Sequence, residues 1–213
     1  MSSIRPKPLQ HDPLLERPSI CGSDSGPTSP PFPVKLSGWV SRGFGRGSKD
    51  LGCPTANLPD STISPYFDTL QTGVYFGWAR VLQDSEKTRV DQGDERDKVW
   101  PMVMSIGWNP FYNNDTRTAE VHILNDYGSD FYGKELRVIM LGFIRPEYNY
   151  SSLDALIKDI ETDKKVAFDS VTTRTSYSNY KDDSFFTQQS TLEPPTEDLS
   201  RPRVKPTDQE EEK

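Results

Sequence analysis

The sequence predicts a mainly β fold: an antiparallel barrel packed on a C-terminal α-helix, flanked by disordered tails. Three observations carry this. Short runs rich in Val, Ile, Phe, Tyr and Trp recur between residues 35 and 144, divided by glycine and proline. A sustained helical period occurs only beyond residue 150. Both ends are polar, with eight of the 18 prolines in residues 1–33 and four after residue 190. The 213-residue chain is 33% hydrophobic with a mean hydropathy of -0.72, which fits one domain of ordinary size between two polar ends.

Residues 1–33 combine Pro, Ser and Gly with almost no apolar periodicity and are expected to form a disordered extension. The domain is expected over 34–190. Its candidate strands are 35–42, a weaker one near Asn57, 74–82, 99–106, 118–124 and 135–144, which alternate in part. Turn residues make loops of 59–72 and of Asn113-Asn114-Asp115. Residues 83–98 have almost no apolar content and interrupt a hairpin, so they read as a surface insertion. Leu153, Leu156, Ile157 and Ile160 fall at i, i+3, i+4 and i+7 and share one helical face. Ser151 with Asp154 resembles a capping box, Arg145-Pro146-Glu147 is the turn leading in, and a second helical stretch runs through 166–168. Residues 191–213, ending in Glu210-Glu211-Glu212, are expected to be an acidic disordered tail. Five or six strands with few crossover helices point to an antiparallel barrel.

Composition excludes several classes. The net charge of -7 and pI near 4.9 argue against a nucleic-acid partner. No run approaches the roughly 18–20 apolar residues of a membrane span, and no apolar h-region follows the N-terminus. Arg5, Lys7 and Arg17 hint at a transit peptide, but Asp12, Glu16, Asp24 and the prolines spoil a basic amphipathic helix. Two cysteines, Cys21 and Cys53, make no disulfide framework and suit a reducing compartment, so the sequons at Asn114 and Asn149 read as chance matches.

The densest chemical signal is RGFGRGSKDLGCPTAN over residues 42–57. Gly43, Gly45, Gly47 and Gly52 let backbone approach a ligand, and Arg46, Lys49 and Ser48 stand beside them, so the stretch is either an anion-binding loop or a flexible connection. It is neither a Walker A loop nor a G-x-G-x-x-G fingerprint. In Pro54-Thr55-Ala56-Asn57, Thr55 and Asn57 project to the same side of an extended chain and offer neutral, hard oxygens, to magnesium or to a turn. Alternation in 118–124 puts Thr118, Glu120 and His122 on one face and Ala119, Val121 and Ile123 on the other. Glu120 is either a proton acceptor facing a cavity or a residue on a wet sheet face. His122 orients a neighbour or simply packs. The aromatic stretch 107–112 covers a planar ligand or packs, and Arg145 serves a ligand or pairs at the start of the helix. Phosphate grip, metal donors and a carboxylate together suggest phosphoryl transfer.

GFGRGSKDLGCPTAN, then GVYFGWA, SIGWNPFY, AEVHIL, DFYGKELRV and GFIRPEYNY, in this order, resemble riboflavin kinase of the eukaryotic, single-function type over about residues 36–168. The resemblance implies a six-stranded antiparallel Greek-key barrel. It implies transfer of the ATP γ-phosphate to the ribityl 5′-hydroxyl of riboflavin, giving FMN and ADP. It puts Thr55 and Asn57 at a magnesium (or zinc) ion and the phosphates, with Glu120 as general base. Gly43 and Lys49, with Thr55, would hold ATP, and Arg145 and Tyr150 would belong to the flavin side. A monomer is expected, inside the cell and in the cytoplasm, with mitochondrial or microsomal association left open.

The 1–33 extension, the 83–98 insertion and the acidic tail depart from the family's compact form without removing a motif residue. Bacterial relatives fuse this domain to an FAD synthetase. Here the extension is too short for one, and His11 and His122, the two histidines, cannot make an H-x-G-H motif, so the product should stop at FMN. The alternative is a catalytically silent barrel that binds flavin or nucleotide as a sensor or carrier. Intact Thr55, Asn57 and Glu120 favour the enzyme.

Overall fold

The computed structural model describes residues 7–43, 53–82, 98–108 and 117–201. The described residues form eight strands: β1 (Leu9–Gln10), β2 (Val34–Trp39), β3 (Ala56–Leu58), β4 (Gly73–Val81), β5 (Trp100–Trp108), β6 (Arg117–Ile123), β7 (Glu135–Arg145) and β8 (Tyr148–Asn149). Six of them make one antiparallel sheet in the order β2-β7-β4-β5-β6-β3. The sheet curls into a half-barrel. Its edge strands meet through the bridge between Ser41, just past β2, and Asn57 in β3, where the Ser41 N–H donates to the Asn57 carbonyl at 3.0 Å. The mainly β architecture with a C-terminal helical region thus agrees with the sequence reading.

Two of the longer strands do not alternate, and the structure gives the reason. One face of the sheet encloses a core of Leu36, Leu58, Met102, Met104, Val121 and Val138 among others. On the opposite face Phe76, Trp78, Ile139 and Leu141 pack under Val166, Ala167 and Val171 of helix α2 (Leu153–Thr172). Strands β4 and β7 are therefore buried on both faces and read as near-continuous apolar runs. Strand β6 covers only the inner core: Ala119 and Val121 are buried there, and Glu120 between them is half-buried on the outer face.

Several expectations need correction. Helix α2 is one continuous 20-residue element, not two stretches. Its N-cap is Ser152, in extended conformation, whose Oγ accepts the Ala155 N–H at 3.2 Å; the Ser151–Asp154 capping box is one residue out of register. The expected loop 59–72 contains helix α1 (Asp60–Ile63) and a 3-10 turn, Ser64–Tyr66, with Ile63 fully buried. Beyond α2, helix α3 (Thr175–Ser178) and two 3-10 turns return the chain to the sheet. There Trp78 Nε1 donates to the Tyr177 carbonyl at 3.0 Å, and buried Arg137 donates to the carbonyls of Phe185 and Gln188, each at 2.7 Å.

The described parts of both tails are largely exposed but are tied to the domain at particular points. β1 pairs in parallel with β8, and Cys21 is buried with its N–H on Ser170 Oγ at 2.8 Å. Arg174 donates to the carbonyls of Cys21 and Gly22. At the other end Trp39 Nε1 donates to the Glu193 carbonyl at 2.8 Å and the Arg42 N–H to the Leu199 carbonyl at 2.9 Å. These anchors are polar and backbone-mediated, so a reading based on apolar periodicity does not register them. Of the insertion, residues 83–97 lie outside the described residues, as do residues 202–213 of the acidic tail.

Candidate active site

The bridge that joins the sheet's edges also brings several candidate site residues together. β3 is registered on β6 so that Asn57 stands opposite Glu120, and β5 is registered so that Ser105 stands opposite Glu120 from the other side. Asn57, Glu120 and Ser105 therefore form one row on the outer face. Thr55, two residues before Asn57, donates its hydroxyl to Glu120 Oε2 at 3.0 Å. Gly43 lies directly on this row. A Cβ added to it would come within 2.7 Å of Asn57 Nδ2 and 3.0 Å of Asn57 Oδ1, so the Asn57 amide group occupies the space a side chain at 43 would need. Gly43, Thr55, Asn57 and Glu120 are thus brought together. Lys49 lies outside the described residues.

His122 does not touch the carboxylate. Its ring is buried, with Nδ1 2.8 Å from the Pro54 carbonyl. A carbonyl only accepts, so Nδ1 carries the proton. Burial pulls the His122 pKa down against the raising effect of that hydrogen bond, which keeps the ring neutral at neutral pH. Its role is to hold the turn that presents Thr55. Cys53 precedes the same turn, and burial pushes its thiol up to about 11.

A cavity of about 800 Å³ opens beside Thr55 and His122, walled by the β6–β7 connection with Tyr127, Phe131 and Tyr132 and by Lys164 of α2. The sequence reading missed these lining residues. The aromatic, turn-rich run NDYGSDFYG was the available signal, but nothing in its spacing says that it folds over the row.

Arg145 and Tyr150 meet each other, in a second cluster. Arg145 Nε and Nη2 donate to Asp163 at 2.7–3.1 Å, and Nη1 donates to the Pro146 carbonyl at 3.0 Å. Tyr150 Oη donates to Asp159 Oδ2 at 2.7 Å, and Arg145 sits over the Tyr148 and Tyr150 rings at 5.2 and 5.9 Å. Burial works against the guanidinium's charge, and the hydrogen bonds and charge of Asp163 overcome it, so its pKa lies above the ordinary value. Helix α2 joins the two places: Asp163 faces Arg145, and the next residue, Lys164, faces the cavity.

The family model Flavokinase: Riboflavin kinase matches residues 30–171, which is more than half of the chain. The chain belongs to the riboflavin kinase family. It is 56% identical over 154 residues to a riboflavin kinase of Pyricularia oryzae, covering 71% of this chain and 76% of that one. It is 45% identical over 189 residues to a riboflavin kinase of Chaetomium globosum, covering 75% and 80%. The crystal structure of riboflavin kinase from Trypanosoma brucei superposes with a TM-score of 0.59 at 28% identity, covering 76% of this chain and 93% of that one. The segment matched to the riboflavin kinase family contains Gly43, Thr55, Asn57, Glu120 and Arg145.

Proposed function

We infer that this chain transfers the γ-phosphate of ATP to the ribityl 5′-hydroxyl of riboflavin, giving FMN and ADP. The observation that carries the reading is the Thr55–Glu120 hydrogen bond on the row that also holds Asn57, in a chain of the riboflavin kinase family. Phosphoryl transfer asks a protein for alignment and charge neutralisation more than for covalent help. Glu120 accepts the proton of the incoming hydroxyl as the new P–O bond forms. Thr55 occupies one carboxylate oxygen, which fixes the group and leaves the other for the substrate.

The donor set fits a hard divalent cation. The Thr55 hydroxyl and the Asn57 amide oxygen are neutral and hard, as magnesium prefers when phosphate and water complete its shell. Zinc instead favours nitrogen and sulfur ligands in sets of three or four. Among the described residues, no group of three or more His, Cys, Asp and Glu side chains could hold a metal. We therefore assign Thr55 and Asn57 to magnesium rather than zinc. When bound, the ion offsets phosphate charge. The aromatic cavity beside Thr55 suits a flat purine, with Gly43, Lys49 and Thr55 at the phosphates. Arg145 and Tyr150 belong to the flavin side. Among the described residues, no helix is long and apolar enough to cross a membrane, and the two free cysteines fit a reducing compartment inside the cell, with the chain acting as a monomer.

Chromatography of the products from riboflavin and ATP, with magnesium and then zinc, tests this reading. FMN with equimolar ADP, and higher activity with magnesium, is the expected result. A folded sample that makes no FMN with either ion would refute it.

A further inference from the structure

The second cluster contains residues that the flavin-side assignment does not explain. Asp159 and Asp163 are one turn apart on α2, buried on the same face, and Arg145 alone could not serve both equally. A second cation arrives from the N-terminal segment. Arg17 Nη2 donates to Asp163 Oδ1, and Arg17 Nη1 lies 3.2 Å from Asp159 Oδ1. The same segment adds a ring: His11 packs on Tyr150 with centroids 4.8 Å apart and on Tyr148 at 5.9 Å, its Nε2 3.7 Å from Asp159 Oδ2. Backbone bonds secure the approach, from the Leu9 N–H to the Glu147 carbonyl at 3.2 Å and from the His11 N–H to the Asn149 carbonyl at 3.0 Å.

We propose that the segment from Leu9 to Arg17 is part of the flavin side of the site, with Arg17 a positioning residue for Arg145 and Tyr150. The inference rests on the reading of those two residues as flavin-side. Its physical content is charge balance. Two buried carboxylates facing two guanidinium groups are neutral as a set, so Arg145 lies flat on Asp163 with its Nη1 on the Pro146 carbonyl, and Asp159 accepts from Tyr150. Without Arg17 one negative charge is left over. Arg145 Nε, already 3.8 Å from Asp159 Oδ2, is then drawn between the two acids, and the turn from Pro146 to Tyr150 shifts with it. His11 backs the Tyr148 and Tyr150 rings and keeps them in place.

The test uses the full chain. Arg17→Ala should raise the riboflavin KM about tenfold, the scale seen when an outer partner of a site residue is removed, with the ATP KM unchanged. Arg17→Lys should recover part of the loss, since it restores the charge without the planar fork. His11→Ala, which leaves every ion pair of the arginines intact, should raise the riboflavin KM by a smaller factor and covers the case in which Arg17→Ala fails to fold. An unchanged or lower riboflavin KM in Arg17→Ala or, where it does not fold, in His11→Ala overturns the proposal, as does a parallel rise in both KM values with a lower Tm. Tyr150→Phe and Arg145→Lys separate the two layers: if neither alters riboflavin binding, measured by flavin fluorescence quenching, the flavin-side reading falls and takes this inference with it. If they do and Arg17→Ala does not, the inference falls alone.

Discussion

Glu120 stands where two strand registers cross, with Asn57 on one side, Ser105 on the other and the Thr55 hydroxyl on its Oε2. That placement makes single substitutions informative. Asn57→Ala should raise the magnesium concentration needed for half-maximal rate, and an unchanged titration would remove Asn57 from the metal. Away from the site, Glu135 is the residue whose charge matters for stability. Burial opposes its ionisation, yet hydrogen bonds from Arg137, Ser190 and Ser37 hold its pKa below the ordinary 4.5. A carboxyl with a depressed folded-state pKa stabilises the protein above its unfolded pKa, and that contribution is lost as pH falls through the folded value. Glu135→Gln should therefore flatten the fall of Tm below about pH 4.5; an identical slope in the variant would deny Glu135 that role.

At the scale of elements, the packing of α2 on β4 and β5 decides how firmly the site is held. Phe76 is fully buried between that helix and the sheet, so Phe76→Ala should cost about 3–5 kcal/mol in denaturant unfolding. A cost under about 1 kcal/mol would show that the interface is looser than described. Ser152→Ala should cost about 1 kcal/mol through the lost cap, whereas Ser151→Ala should cost little. The strands were legible because β-branched and aromatic runs end at glycine and proline, and the face that Glu120 takes was legible because Ala119 and Val121 alternate around it, while its role came from the family resemblance. The Thr55 partner was not, since the contact spans 65 residues and depends on how β3 registers on β6. Nor was the aromatic wall of the cavity, because Tyr127, Phe131 and Tyr132 sit in a connection with no periodic pattern.

Across the whole molecule, the N-terminal segment changes most between sequence and structure. Its composition signals disorder, but Arg17, Cys21 and the β1–β8 pairing bind it to α2 and to the strand that carries Tyr148. Deleting residues 1–30 strands buried Asp159 and Asp163 with too little positive charge, and breaking such a set costs about 3–5 kcal/mol. The melting temperature of the truncated chain should drop by several degrees; an unchanged value would mean that the segment is dispensable for the fold. We propose that phosphoryl transfer occurs on the row of Thr55, Asn57 and Glu120. The most direct measurement is single-turnover FMN formation by the wild-type chain and by Glu120→Gln, with riboflavin and ATP binding measured alongside. The account predicts that the variant binds both substrates and forms FMN slower by roughly 10²-fold or more. A variant that binds both and turns over at the wild-type rate would contradict it.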